Sequence, residues 1–226
     1  MAIPLAVAVA MVGLWTFTRG VRSTGEPNHV TGEAASSTVL AKIAVQQGDL
    51  PDRFRKCSFS GDFVTHNEVF NGVNNDTYRS NLALWNRLKS QGATGAYIAY
   101  WGDTAEACDS VVTGPQSMNP HEPGKPHPSV VLSLVVSFVD EDAAAASYKS
   151  DTFQQSALAN SADFQAREGD ATGLGPNSLS ASQPRAVVPI YQAVWQNGAV
   201  EVRFGSENLT TAESDAVASA LNRRIG

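Results

Sequence analysis

Three groups of residues in this chain have types and spacings that chemistry could use. His121, Glu122 and His127 supply two imidazoles and a carboxylate, a donor set that suits zinc. Their HExxxxH spacing lies in a proline-rich stretch and lacks the i, i+4 helical geometry that aims two histidines at one ion. They read as a surface loop, and no metal is expected. Asp103, Glu106 and Asp109 follow a predicted strand, and grouped carboxylates can move protons or hold calcium. Their spacing does not match an EF-hand, and the first two stand where a helix start favours acids. Gly173-Leu-Gly175-Pro-Asn-Ser178 departs from GxGxxG at its last position. No helix is expected directly after it to complete a phosphate cradle, so it reads as a turn.

Nucleophilic catalysis has no anchor either. There is no GxSxG, and His29, His66, His121 and His127 all fall in predicted loops. No catalytic residue and no cofactor is expected. Asn75-Asp-Thr77 and Asn208-Leu-Thr210 match the glycosylation acceptor pattern, although Thr210 already serves as a helix cap.

The aromatic residues are more informative. Tyr97, Tyr100, Trp101 and Trp195 are rich for a domain of this size, and core packing is their default role. If one sheet face is left uncovered, these rings with Ser133 and Ser137 would line an apolar groove carrying a few polar groups. That is the usual make-up of a small-molecule site, and these six are the expected ligand-binding residues.

The elements that must position them begin with an address. Met1 to Thr18 carries no charged side chain and is mostly apolar. As a helix it would rise roughly 27 Å, close to one hydrocarbon core. It reads as a transmembrane anchor with Trp15 at the interface; a cleaved secretory signal and a buried core helix are the alternatives. Residues 19–37 are polar and read as a flexible tether. Residues 38–226 form the domain proper, about 190 residues, enough to bury a real core.

Arg19 and Arg22 alone would place that domain in the cytoplasm by the positive-inside rule. Cys57 and Cys108 favour the outside, because an even pair in an exported domain reads as one disulfide. Charged residues are 17% and the net charge is −6, without a basic stripe, which excludes a nucleic-acid partner. Oligomeric state is not legible.

Along the domain, Val39, Leu40, Ile43 and Ala44 predict a short helix ending at Gly48. A strand is expected over 54–59, and 61–75 reads as loop. Tyr78, Leu82, Trp85 and Leu88 predict a helix that Asp76 caps and Gly92 stops. Alternation predicts strands over 95–101 and 129–139, with Val130, Leu132, Leu134, Val136 and Phe138 on one face. Residues 104–112 read as a turn or two of helix bearing Cys108. A helix capped by Asp140 runs towards Phe153.

Asn197-Gly198 between alternating runs is a strong hairpin signal. It pairs Trp195 with Val200, Ala193 with Val202 and Tyr191 with Phe204. Thr210 and Glu213 form a capping box for a final helix that buries Val217, Leu221 and Ile225. The expected fold class is α+β, an antiparallel sheet with helices packed on one face, preceded by an N-terminal transmembrane helix.

Gly173-Leu-Gly-Pro-Asn-Ser178, Tyr191-Gln-Ala-Val-Trp195, Asn197-Gly198 and Val200-Glu-Val-Arg-Phe204, set before a final helix, resemble the extracytoplasmic sensor-like domains of actinobacteria. The sensor domain of PknH-type kinases and the LpqN-like lipoproteins belong to that group. The resemblance covers roughly residues 125–226 and implies a domain that binds a small ligand or envelope partner outside the membrane, without catalysis. The expectation is therefore a membrane-tethered extracytoplasmic binding or sensing module. A secreted or envelope hydrolase and a structural cell-envelope protein are the alternatives.

Overall fold

The computed structural model describes residues 37–113, 127–159 and 164–225. The apolar segment 1–18, the tether up to residue 36, His29, His121 and Glu122 lie outside the described residues. Among the described residues no helix is long and apolar enough to cross a membrane.

The chain orders its elements as α1 (Ser37–Ile43), β1 (Arg55–Lys56), β2 (Gly61–Asp62), α2 (Phe63–Asn67), α3 (Asn75–Ser90), β3 (Ala93–Gly102), α4 (Ala105–Thr113) and β4 (Val130–Phe138). Then follow α5 (Glu141–Lys149), α6 (Thr152–Ala159), β5 (Gln165–Glu168), β6 (Ser178–Gln183), β7 (Ile190–Asn197), β8 (Val200–Glu207) and α7 (Thr211–Ile225). The strands form one antiparallel sheet in the order β1-β3-β4-β8-β7-β6-β5, with β2 also paired to β3.

The sheet is covered on both faces, not one. Side chains alternate along a strand, so each face collects every second residue. Tyr97, Trp101, Val131, Val135, Tyr191, Trp195, Val202 and Phe204 pack under α1 and α7 through Leu40, Ile43, Val217 and Leu221. On the opposite face Ile98, Leu132, Leu134 and Val136 meet Phe63 of α2 and Leu84 and Leu88 of α3. Further along that face Leu179, Ala181 and Val194 meet Tyr148 of α5 and Phe153 and Ala157 of α6. The expected α+β class holds, while the single helical layer becomes two. The cause is β4, all nine of whose residues are buried. Ser133 and Ser137 do not mark a wet face. Ser133 Oγ accepts from the Val45 amide at 3.1 Å, and Ser137 Oγ pairs with Thr94 Oγ1 at 3.0 Å.

Local expectations differ from the structure at several points. The strand expected over 54–59 contracts to β1, and the stretch read as loop contains α2 followed by a 3-10 turn at Glu68–Phe70. Phe63, His66, Asn67 and Phe70 are its buried positions, at helical spacing. Asn74, not Asp76, caps α3, accepting from the Thr77 amide at 3.2 Å. The buried face of α3 runs through Asn81, Leu84 and Leu88, which leaves Leu82 exposed; Val39 of α1 is exposed too. The helix capped by Asp140 stops at Lys149, and Asp151 starts a new one by accepting from the Phe153 amide at 2.7 Å.

The β7–β8 hairpin turns at Gly198-Ala199, with Gly198 at φ 53° and Asn197 pairing with Val200. Trp195 therefore faces Val202 and Ala193 faces Phe204, two residues from the expected register. A shift of two preserves every face, because the side-chain period is two. The Thr210–Glu213 capping box of α7 is present, with the Thr210 amide donating to Glu213 Oε2 at 2.8 Å.

Cys57 and Cys108 are disulfide-bonded with Cα atoms 5.6 Å apart, tying the end of β1 to α4. The bond closes a loop across a sequence separation of 51 residues. In the chain-entropy model that constraint stabilises the fold by ~4 kcal/mol. The Cys57→Ser/Cys108→Ser double variant should lose about that much in urea unfolding; a loss under roughly 1 kcal/mol would show that the unfolded chain gains little from opening the loop.

Candidate functional site

On the sheet face covered by α2, α3, α5 and α6, the helices leave a gap. Ser80, Leu84 and Arg87 of α3 form one wall, and Asp151, Thr152 and Phe153 at the start of α6 form the other. The floor is the rung Leu132, Gly205 and Gln192 across β4, β8 and β7, with Arg203 and Val194 beside it. The cleft is open at its mouth, and its enclosed space is small, about 70 Å³ for the centre of a water-sized sphere. Gly205 presents no side chain to this part of the floor, and a glycine inside a strand often marks a close approach by another group.

The sequence explains why the gap sits here. Apolar residues fill this face on β3 and β4, but β8 places Glu201, Arg203 and Gly205 on it and β7 places Gln192 and Gln196. Polar groups at these positions must find partners rather than pack. Arg203 Nε donates to Glu201 Oε1 at 2.8 Å, and Arg203 Nη2 lies 2.6 Å from Asp151 Oδ2 as an ion pair rather than an aligned hydrogen bond. The side chains of Asp151 and Glu201 are 1% and 0% exposed. Burial alone would lower the Arg203 pKa; Asp151 and Glu201 outweigh it and hold the guanidinium above its usual value. Tyr148, nearby on α5, is pushed up to about 12, chiefly by burial and then by Glu168, Asp151 and Glu201.

Two polar groups of the cleft are not satisfied. Gln192 is 5% exposed and its Oε1 has no hydrogen-bond partner. Arg87 donates from Nη1 to the Ser150 carbonyl at a long 3.4 Å, and its buried Nε has no partner.

In acid–base terms the cleft is committed. Asp151 is its one lining carboxylate, with one oxygen on the Phe153 amide and the other on Arg203. Among the described residues neither a histidine nor a cysteine lines it. The arrangement offers unpartnered polar atoms and apolar walls to a bound molecule.

None of the six residues expected to bind ligand lines this cleft. Tyr97, Trp101, Ser133 and Trp195 lie on the other face, beneath α1 and α7. There the Trp101 indole donates to the Val45 carbonyl at 3.2 Å, and Lys56 Nζ donates to the Tyr97 hydroxyl at 2.7 Å. Tyr100 stacks on His66 at 5.3 Å, and Ser137 bonds Thr94. The condition for a groove among them, an uncovered face, is not met. Asp103 accepts from the Ser129 amide at 2.9 Å, while Glu106 and Asp109 are exposed on α4. Among the described residues no three His, Cys, Asp or Glu side chains converge as a metal site. The His127 carbonyl accepts from Asn208 Nδ2, which occupies one of the two possible glycosylation amides. Gly173–Ser178 is a turn, with φ 74° at Gly173, and leads into β6.

The cleft residues left few signals in the sequence. Arg203 and Glu201 look like the solvent face of a hairpin. A glycine inside β8 and an arginine between Leu84 and Leu88 are the signals that mark the place.

No family model matches the chain, and no curated protein matches it. Among solved structures it is similar to the extracellular domain of PknH from Mycobacterium tuberculosis, at 11% identity and a TM-score of 0.46, covering 85% of this chain and 97% of that one.

Removing Asp151 leaves Arg203 half-paired and α6 uncapped. Asp151→Ala should cost roughly 3–5 kcal/mol in chemical unfolding. Asp151→Asn, which keeps a cap acceptor, should cost about 1 kcal/mol less. Equal losses would mean that the cap is worth nothing.

His66 gives a pH signature. It is buried among Phe59, Phe63, Phe70 and Tyr100, with Nδ1 donating to the Phe59 carbonyl at 2.8 Å. Burial lowers its pKa below 6.5, partly opposed by that hydrogen bond. The neutral ring is therefore the folded form. Its stabilisation is present above pH 6.5 and is lost as pH falls through the lowered folded value. Urea midpoints should drop on acidification in the native chain, and His66→Phe should remove that part of the drop; an unchanged slope in the variant would assign it elsewhere.

Proposed function

We propose that this chain is a non-catalytic binding module acting outside the cytoplasm, with the cleft between α3 and α6 as its small-ligand site. The observation that carries the reading is the Gln192 amide, buried in the floor of a largely apolar cleft with its Oε1 unpartnered. An unpaired buried acceptor costs about 1–3 kcal/mol, a cost that a ligand donor would remove on binding. Apolar walls with a few convergent polar groups are the usual composition of such sites.

The compartment reading rests on Cys57–Cys108, since such bonds persist in oxidising surroundings and are rare in the cytosol. Tethering rests on the uncharged apolar run 1–18, long enough as a helix for one bilayer. A hydrolase is disfavoured because Asp151, the cleft's one carboxylate, is held at both oxygens.

Three readouts on the full chain test this. Anilinonaphthalene sulfonate should brighten on binding, and Ser80→Trp, which places a large ring at the cleft wall, should weaken it at least ~tenfold with unfolding unchanged. Equal binding by the variant would move the site elsewhere. Nitrophenyl esters should show no turnover above buffer; saturable turnover would favour the hydrolase. After an alkaline wash the chain should stay with membranes and a variant lacking residues 1–18 should not, whereas release of both would remove the tether.

A further inference from the structure

Resting on that cleft reading, we infer that the ligand is a small anion with an apolar body, and that Arg87 supplies its counter-charge. The four charges at the cleft are unevenly satisfied. Arg203 takes both neighbouring carboxylates, Glu201 at 2.8 Å and Asp151 at 2.6 Å. Arg87 stands on the facing wall, and among the described residues no carboxylate lies within ion-pair distance of it. Its one hydrogen bond is the 3.4 Å contact to the Ser150 carbonyl, and its Nε is buried without a partner.

A guanidinium in that position is both desolvated and repelled. Burial first, and the Arg203 charge second, lower its pKa, with Asp151 and Glu201 only partly compensating. An incoming carboxylate or similar anion would relieve each of these costs together, and the planar guanidinium suits an anion with two oxygens. A cation would meet two arginines at the cleft wall, with Asp151 already taken.

The apolar body follows from what surrounds Arg87. Leu84 lies on the same helix face, Phe153 on the opposite wall, and Leu132 and Gly205 on the floor. The small enclosed space favours a compact acid over a whole lipid with two chains.

Calorimetric titration of the full chain with octanoate, octanol, octylammonium and inorganic phosphate tests the inference. Octanoate should bind at least ~tenfold more tightly than octanol or octylammonium, and phosphate should not displace it. Arg87→Met should abolish the preference for octanoate over octanol, and Arg87→Lys should keep part of it. If octanoate and octanol bind the native chain equally, or octylammonium binds best, the anion assignment is overturned although the cleft remains a ligand site. Displacement by phosphate alone would overturn the requirement for an apolar body. If none of the three amphiphiles binds, the cleft reading itself fails.

Discussion

The packing of this domain depends on one strand that has no wet side. β4 is central, paired with β3 on one edge and β8 on the other, and all nine of its residues are buried. Leaving either face bare would expose several large apolar side chains, at about 25 cal/mol per Å² of apolar surface. The chain must therefore lay helices on both sides. One layer comes from the two ends of the described domain, α1 and α7, which have to meet. Arg224 of α7 closes that junction, donating to both Asp49 oxygens at 2.7 and 2.8 Å and to the Ile43 carbonyl at 3.2 Å.

The other layer is assembled from the middle of the chain and is less regular. There the sheet surface changes character from β4 to β8: Leu132, Leu134 and Val136 lie beside Gly205, Arg203 and Glu201. Burying an arginine with two carboxylates is a poor route to stability, since the desolvation cost rivals the attraction. Its structural consequence is definite all the same. The Arg203–Asp151 pair fixes where α6 begins, and so fixes the distance between α6 and α3 across the floor.

Much of the frame is legible in the residues, and the reasons are local. β4 shows an unbroken apolar run, the hairpin shows Asn197-Gly198, and α7 shows its capping box; each signal lies within a few residues of the element it specifies. The disulfide needed only two cysteines and a compartment. The hairpin register missed by two because Asn-Gly permits either two-residue turn position, and both keep the same faces. What could not be read is which faces are covered. Ser133 and Ser137 mark only the less apolar face of β4, and their hydroxyls pair with Val45 and Thr94, partners from distant parts of the chain. The cleft is illegible for the same reason. Arg87, Asp151, Gln192 and Arg203 come from four different elements and form a site only once α3 and α6 are docked.

The polar groups of the cleft differ in how far they are satisfied. Asp151 starts α6 with one oxygen and pairs with Arg203 through the other, so both of its oxygens are spent on structure. The groups left over, the Gln192 carbonyl and the Arg87 guanidinium, are poor proton carriers at neutral pH but good recognition groups, one an acceptor and the other a fixed positive charge. Structure claims the Asp151 carboxylate, and the atoms of Gln192 and Arg87 left without partners give the cleft its capacity for recognition.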